Sequence, residues 1–260
     1  MLLSRMFARD LSDDQREFLF DQLDYSYVER FGWAIPDERA LNILSHYGPI
    51  VEVGAGLGYW GRLLINRGID YLGYDINASN DKKKKKKGGK GKGKKNKQLT
   101  HDEQTEEDEE GSEKRFPSWC RINRGTSEVL KGKKMKKRSL FLCYPDDFEL
   151  SSESLALSCL EAYKGDTIIL VGELFGSTVL ENPWGKSAGP DFQINLMASF
   201  HKVLQVPLPS WMTSRDSLSV WKRTQVTSVD EGEFTFKDIP VEQRLVTTIQ
   251  YCPETQHLVV

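Results

Sequence analysis

The stretch Val51-Glu52-Val53-Gly54-Ala55-Gly56-Leu57-Gly58 constrains this chain more than any other. Pro49 leads into Ile50, Val51 and Val53, an apolar run suited to a central parallel strand. The alternating glycines then make a turn whose backbone can approach a ligand, because no Cβ stands in the way. A helix follows from Tyr59 or Trp60, with Trp60, Leu63 and Leu64 at i, i+3, i+4 spacing for burial. Arg67 in its last turn suits the helix dipole, and Gly68 is the expected stop. Tyr71-Leu72-Gly73-Tyr74-Asp75 reads as a second strand ending on an acid. The 21 residues from Gly54 to Asp75 suit one strand–helix–strand crossover.

Three kinds of ligand use such an architecture, and spacing separates them. A dinucleotide fingerprint, G-x-G-x-x-G, fails because position 59 holds Tyr. A phosphate-cradling loop, G-x-x-x-x-G-K-[ST], has no lysine here, and the lookalike at Gly185-Lys186-Ser187 has Leu180 where its first glycine belongs. What remains is E-x-G-x-G-x-G, followed by Asp75 where a ribose diol would lie. This set resembles the cofactor site of the class I S-adenosylmethionine-dependent methyltransferases. The resemblance covers roughly residues 30–223 outside a charged insertion, and implies S-adenosylmethionine as cofactor. Glu52 would support its methionine end, Gly54, Ala55, Gly56 and Gly58 would give backbone access, and Asp75 would hold the ribose. Thr126 takes the place near the adenine amine where the family often has an acid.

The loop after the fourth strand faces the transferred methyl in that family. Here it starts Cys143-Tyr144-Pro145-Asp146-Asp147. The resemblance places Cys143 at the cofactor, Tyr144 as a wall, and Asp146 or Asp147 as base or acceptor-orienting group. The bland reading of the acids is a helix cap, and that of Cys143 is a small buried hydrophobe. The family's amino-group methylators carry Asn or Asp, then Pro-Pro and an aromatic at this point, which this chain does not. Trp33 and Trp60 are candidates to close over the ligand, or else core packing. Glu173, ending the fifth strand, either orients substrate or caps the next turn. A narrower likeness, to an uncharacterised group of methyltransferase-like proteins, rests on Trp33-Ala34-Ile35-Pro36, Val51 to Trp60, Leu142 to Pro145, and Gly165-Asp166 leading to Glu173. It implies no acceptor, so the methyl acceptor stays unassigned.

At 260 residues the chain can bury the core of one α/β domain with additions. No apolar run approaches the ~20 residues that span a bilayer, and the first residues lack a secretory h-region. Cys120, Cys143, Cys159 and Cys252 form no C-x-x-C pair, so reduced thiols in a cytoplasmic or nuclear protein are expected, with no metal site. The net charge of −2 hides two opposed blocks. Lys82 to Lys97 is lysine broken by glycine and Asn96, and Asp102 to Glu113 is strongly acidic. Neither has apolar periodicity to offset ordering entropy, so roughly 78–115 is expected to be a disordered insertion. A second basic run, Lys131 to Arg138, is expected in another loop. Such lysines attract nucleic acid or direct nuclear import. The adjacent acids and the absence of interleaved aromatics favour a solvated expansion instead.

The rest alternates helix and strand, which predicts a doubly wound, mostly parallel Rossmann-like sheet with N-terminal helices. Asp13 to Glu29 reads as a helix with Phe18, Leu19, Leu23 and Tyr27 as its apolar stripe, and Asp37 to His46 as a second. Trp119–Arg124, Leu140–Pro145 and Thr167–Glu173 read as strands, and Ser151–Lys164 and Phe192–His201 as helices. Val203–Val206 and Ser217–Arg223 pair as terminal strands. Glu233–Phe236 and Leu245–Tyr251 are short strands of an appendage. The expected divisions are a helical cap over 1–48, the main domain over 49–224, and the appendage over 225–260.

Overall fold

The computed structural model describes residues 10–21, 26–78, 116–146, 153–179, 181–211, 214–229, 234–245 and 251–259. Its elements are α1 (Asp13–Asp21), α2 (Ser26–Phe31), α3 (Glu38–His46), β1 (Ile50–Val53), α4 (Tyr59–Asn66), β2 (Tyr71–Asp75) and β3 (Ile122–Arg124). They continue with β4 (Ser139–Cys143), α5 (Leu155–Ala162), β5 (Thr167–Gly172), α6 (Pro190–Ser199), β6 (Phe200–Pro207), β7 (Ser217–Arg223), β8 (Gln225–Val229) and β9 (Phe234–Asp238). Seven strands form one sheet in the order β3-β2-β1-β4-β5-β7-β6. β3, β2, β1, β4 and β5 are mutually parallel, and β7 runs antiparallel to both β5 and β6. The order turns back on itself between β1 and β4, which is where ligands enter open α/β sheets.

Strand alternation sends successive side chains to opposite faces. Ile50, Phe141, Ile169 and Val171 join α3 and α4 through Ala40, Leu41, Ile43, Leu44, Trp60 and Leu64. Val51, Val53, Leu140, Leu142, Ile168 and Leu170 meet α5 and α6 through Ala156, Cys159, Leu160, Phe192 and Leu196 on the other face. Both faces are thus covered, as a parallel sheet requires. Helix starts follow their caps: Asp37 accepts from the Ala40 amide at 2.7 Å, and Ser154 from the Leu157 amide at 2.9 Å.

Several expectations shift. Leu19 is buried as expected, but Phe18 is 63% exposed and drops out of the apolar stripe expected of the first helix. That helix is recorded as α1 and α2, with residues 22–25, including Leu23, outside the description. The third strand is only Ile122–Arg124, because Trp119 and Cys120 turn toward the glycine loop instead: the Trp119 amide reaches Leu57 O at 2.8 Å and Cys120 Sγ reaches Gly58 O at 3.4 Å. The helix expected over Phe192–His201 is Pro190–Ser199, started by Pro190, and His201 belongs to β6. Lys131 to Arg138 lies in the connection between β3 and β4, which is built around two short 3-10 turns, Ser127–Lys131 and Met135–Lys137. β8 pairs with β9 as a hairpin, of which the sequence signalled only the second strand. Tyr251 bridges Leu204, Cys252 lies in the core, and the Thr255 hydroxyl donates to Val203 O, so 251–259 join the main domain's core. The charged insertion (79–115), Asp147, Ser151 and residues 246–250 lie outside the described residues.

No helix among the described residues is long and apolar enough to cross a membrane. The four cysteines are free thiols.

Candidate functional site

The turn after β1 is built by backbone conformation. Gly54, Gly56 and Gly58 have φ of 80°, 52° and 79°, a region that L side chains rarely adopt. At Gly58 space matters too: a Cβ would stand 2.6 Å from Ile122 Cδ1 and 2.8 Å from Cys120 Sγ. The Gly54 and Ala55 amides both reach Tyr74 O, at 2.9 and 3.0 Å, so the turn is tied to the end of β2. There Asp75 completes it. Its carboxylate accepts from the Gly56 amide and the Asn77 amide, each at 2.8 Å.

Beneath the turn lies a cavity of about 260 Å³. Glu52, Gly54, Ala55, Gly56, Gly58, Cys143 and Tyr144 all line it, as do Trp33 and Trp60. Glu52 reaches it because it alternates out of the apolar pattern of β1, beside Phe141 of β4 and Gly73 of β2 in register. The Tyr71 hydroxyl donates to Glu52 Oε2. That tyrosine ring fills space left by two glycines, since a Cβ at Gly61 or Gly73 would stand 2.3 or 2.6 Å from its atoms. Burial pushes the Glu52 carboxyl up to about 8; the Tyr71 hydrogen bond opposes the shift and nearby Asp75 adds to it. Burial also holds the Cys143 thiol well above its ordinary range, with Glu52 and Asp216 adding to the effect. Cys143 is therefore a small neutral wall and not a thiolate.

The roof of the cavity was not legible in the sequence. Val28, Arg30, Phe31 and Gly32 of α2 and its end line it, with Leu57 and Tyr59. Phe31 meets Tyr59 edge-on at 5.0 Å and Trp119 at 5.3 Å, and Tyr59 lies 5.3 Å from Trp119. The Arg30 guanidinium covers the Trp119 ring at 5.2 Å, while Trp119 Nε1 donates to Arg30 O at 2.7 Å. This clasp joins α2, the start of α4 and the chain just past residue 115. Trp33, 56% exposed, stacks on Tyr144 at 6.3 Å and 26°. Trp60 instead packs in the core against Phe141 at 5.4 Å, and its indole N–H is buried with no partner among the described residues.

Tyr144 is the one non-glycine among the described residues with positive φ, at 47°, a conformation that costs of order 1–3 kcal/mol and collects at functional sites. Its hydroxyl donates to Asp216 Oδ1, and the Ser214 hydroxyl donates to the other oxygen at 3.0 Å. Asp216 is 2% exposed. Burial raises its carboxyl to about 6, against the lowering effect of those two hydrogen bonds and with a further push from Glu173. The sequence offered no signal for Asp216, which lies 72 residues from its partner.

Two predicted acids are committed elsewhere. Asp146 does not line the cavity. Its carboxylate accepts from the Ala156 amide at 3.0 Å, the Ser154 hydroxyl at 2.7 Å and the Gly189 amide at 3.3 Å. It pins the start of α5 to the chain ahead of α6, so the capping reading displaces the catalytic one. Glu173 accepts from the Lys186 and Arg215 amides at 3.1 and 2.9 Å and ties its loop to the approach of β7. Thr126 is exposed ahead of the first 3-10 turn, its side chain capping nothing. It is outside the cavity lining but at the strand end shared with Asp75, whose carbonyl accepts from the Gly125 amide at 3.2 Å. Among the described residues no group of three or more His, Cys, Asp or Glu is placed to hold a metal ion.

No protein-family model matches the chain, and no curated protein matches it in sequence. Solved structures do. A mutant of MtNAS aligns over 85% of this chain and 68% of its own at 11% identity and a TM-score of 0.38. The glycopeptide N-methyltransferase MtfA, complexed with S-adenosyl-L-homocysteine, aligns over 82% and 99% at 9% identity and 0.37. The N-methyltransferase NodS from Bradyrhizobium japonicum WM9, in complex with the same molecule, aligns over 85% and 96% at 10% identity and 0.35. The fold is read from the sheet itself: seven strands in the order β3-β2-β1-β4-β5-β7-β6, with β7 alone reversed, make a class I methyltransferase-like α/β fold.

Proposed function

We propose that this chain binds S-adenosylmethionine across the glycine turn and transfers its methyl group to an acceptor. One observation supports this reading above the rest: a glycine-rich turn lines the cavity together with the buried carboxyl of Glu52, and a second carboxylate, Asp75, is held against that turn by the Gly56 amide. The residues fit the two ends of such a ligand. Asp75 has lone pairs left after its two amide bonds and can accept from the ribose hydroxyls. Glu52 suits the cationic amino-acid end. It is largely protonated at neutral pH in the free protein, so a cation drives its ionisation and releases a proton.

When bound, the cofactor supplies a methyl group activated on sulfonium, transferred by in-line displacement. Such a step depends on alignment and exclusion of water more than on covalent help. The clasp of Phe31, Tyr59 and Trp119, with Trp33 over Tyr144, serves that exclusion. Where the acceptor must lose a proton, Tyr144 and Asp216 replace Asp146 as the groups to take it. Asp216 is ionised at pH 7 and holds the tyrosine hydroxyl by its proton.

The second reading is a methyltransferase-like domain that binds the cofactor weakly or not at all and works as a non-catalytic binding or scaffold module. The commitment of Asp146 to capping and the exposure of Thr126 favour it. Thermal melts of the full chain with S-adenosylmethionine, S-adenosylhomocysteine, NAD or ATP test the ligand class. The two sulfur nucleosides should raise the melting temperature and NAD should not. Stabilisation by NAD alone would overturn the proposal, and stabilisation by none would leave the second reading.

A further inference from the structure

A second charged feature lies at the other end of the sheet. Lys131, Lys133, Lys134, Lys136 and Lys137 line one concavity of about 570 Å³, and Lys164, from the end of a different element, joins them. These residues lead into β4, and Lys164 precedes β5, so the concavity lies at the strand ends opposite the glycine turn. Arg138, part of the same sequence run, is withdrawn: its guanidinium meets Asp70 Oδ2 at 2.5 Å and the Ile50 and Asp70 carbonyls at 3.2 and 3.1 Å.

The lysines are held together by ordered backbone. Leu130 is 1% exposed and anchors the first turn in the core. The Met135 amide reaches Gly132 O at 2.9 Å, the Arg138 amide reaches Met135 O at 3.0 Å, and the Tyr163 hydroxyl fixes Arg138 O at 2.7 Å. Lys131 pairs with Glu128 at 2.7 Å and Lys164 donates to Glu161 O at 3.0 Å. Lys133, Lys134, Lys136 and Lys137 have no ion pair among the described residues. Four unpaired ammonium groups within five residues repel one another, and a bound polyanion relieves that repulsion.

We infer that this concavity is a binding site for the phosphate backbone of single-stranded nucleic acid. A flexible single strand can turn successive phosphates in among the lysines of the concavity. A membrane surface is disfavoured, since no large apolar side chain is exposed among the lining residues. The chain's own acidic block is a poor occupant: residues 79–115 hold 13 Lys and Arg against 9 Asp and Glu, so their acids are already outnumbered. No aromatic lines the concavity, so the site reads charge and not base identity. The inference stands independently of the methyltransferase reading.

The test is fluorescence anisotropy of the full chain with labelled 20-nucleotide oligo(U) and oligo(A) RNA across a salt series. The quadruple variant Lys133→Gln, Lys134→Gln, Lys136→Gln, Lys137→Gln and its all-Arg counterpart are compared, each confirmed folded by thermal melt. Amine labelling of wild type, with and without RNA, reports which lysines are covered. Oligo(U) and oligo(A) should bind alike. The Gln variant should bind about tenfold or more weaker at 0.1 M salt, with a log–log salt slope shallower by about 3, four charges at about 0.7 each. The Arg variant should bind as wild type does, and the four lysines should be protected from labelling. Equal binding and slope in the Gln variant, or unprotected lysines, would overturn the site. Tighter binding of a 20-base-pair duplex, poly-glutamate or phosphatidylserine vesicles at the same salt would overturn its assignment to single strands.

Discussion

Glu52 is a liability with a measurable signature. Its carboxyl titrates near 4.5 when unfolded and near 8 in the folded chain. Below 4.5 both states hold the proton and the contribution to stability is fully present. Between 4.5 and 8 only the folded state holds it, so that contribution is lost as pH rises through the folded value, at about 1.4 kcal/mol per unit as an upper bound. Glu52→Gln keeps an acceptor for the Tyr71 hydroxyl and cannot ionise. Melting temperature should fall from pH 5 to 8.5 more steeply in wild type than in this variant; parallel curves would show that Glu52 is not the buried acid described. Trp60 makes the opposite case. A buried N–H without a partner costs about 1–3 kcal/mol, so Trp60→Phe should leave stability unchanged or raise it. A clear loss by chemical denaturation would mean that the indole has a partner. The glycines and Asp75 were legible because each has a local backbone reason for its place, and Glu52 only through the family resemblance. Tyr71 and Asp216 were not, since an ordinary tyrosine and aspartate reveal nothing until distant strands bring their partners close.

At the scale of elements, Asp146 ties two helices together. Three donors, on Ser154, Ala156 and Gly189, converge on its carboxylate. Asp146→Ala leaves buried amides without an acceptor, and should destabilise by about 1–3 kcal/mol per orphaned group while ligand affinity stays within a factor of about two. Lost affinity at unchanged stability would restore the catalytic assignment. Helices α3 and α4 and strands β1, β4 and β5 could be read from period and apolar run length, because both sheet faces impose burial. Residues 26–29 of the six-residue α2 were read only as the end of a longer helix, and its role in roofing the cavity could not be read, because that depends on Trp119, far along the chain. β8, with Gln225, Thr227 and Ser228, carries too little apolar alternation to announce a strand. Aspartate ahead of a helix predicts a cap as well as it predicts a base, and only the convergence of Ser154, Ala156 and the distant Gly189 on its carboxylate decides between them.

Over the whole molecule, the sheet puts the glycine turn at one set of strand ends and the lysine concavity at the other. The two sites should therefore be separable by mutation: the quadruple Lys→Gln variant should keep its response to S-adenosylhomocysteine. The insertion's composition predicts that removing 80–113 leaves thermal stability nearly unchanged, because segments without apolar periodicity add little burial; a large fall in melting temperature would show that they pack. The central claim, that the turn between β1 and α4 is a nucleoside site closed by Asp75, is tested most directly by isothermal titration of the full chain with S-adenosylhomocysteine, repeated on Asp75→Ala. The account predicts micromolar binding that weakens in the variant by the loss of one or two charge-assisted bonds, about 1.5–3 kcal/mol each, with the fold retained by circular dichroism. Equal affinity in the folded variant, or no binding by wild type, would contradict it.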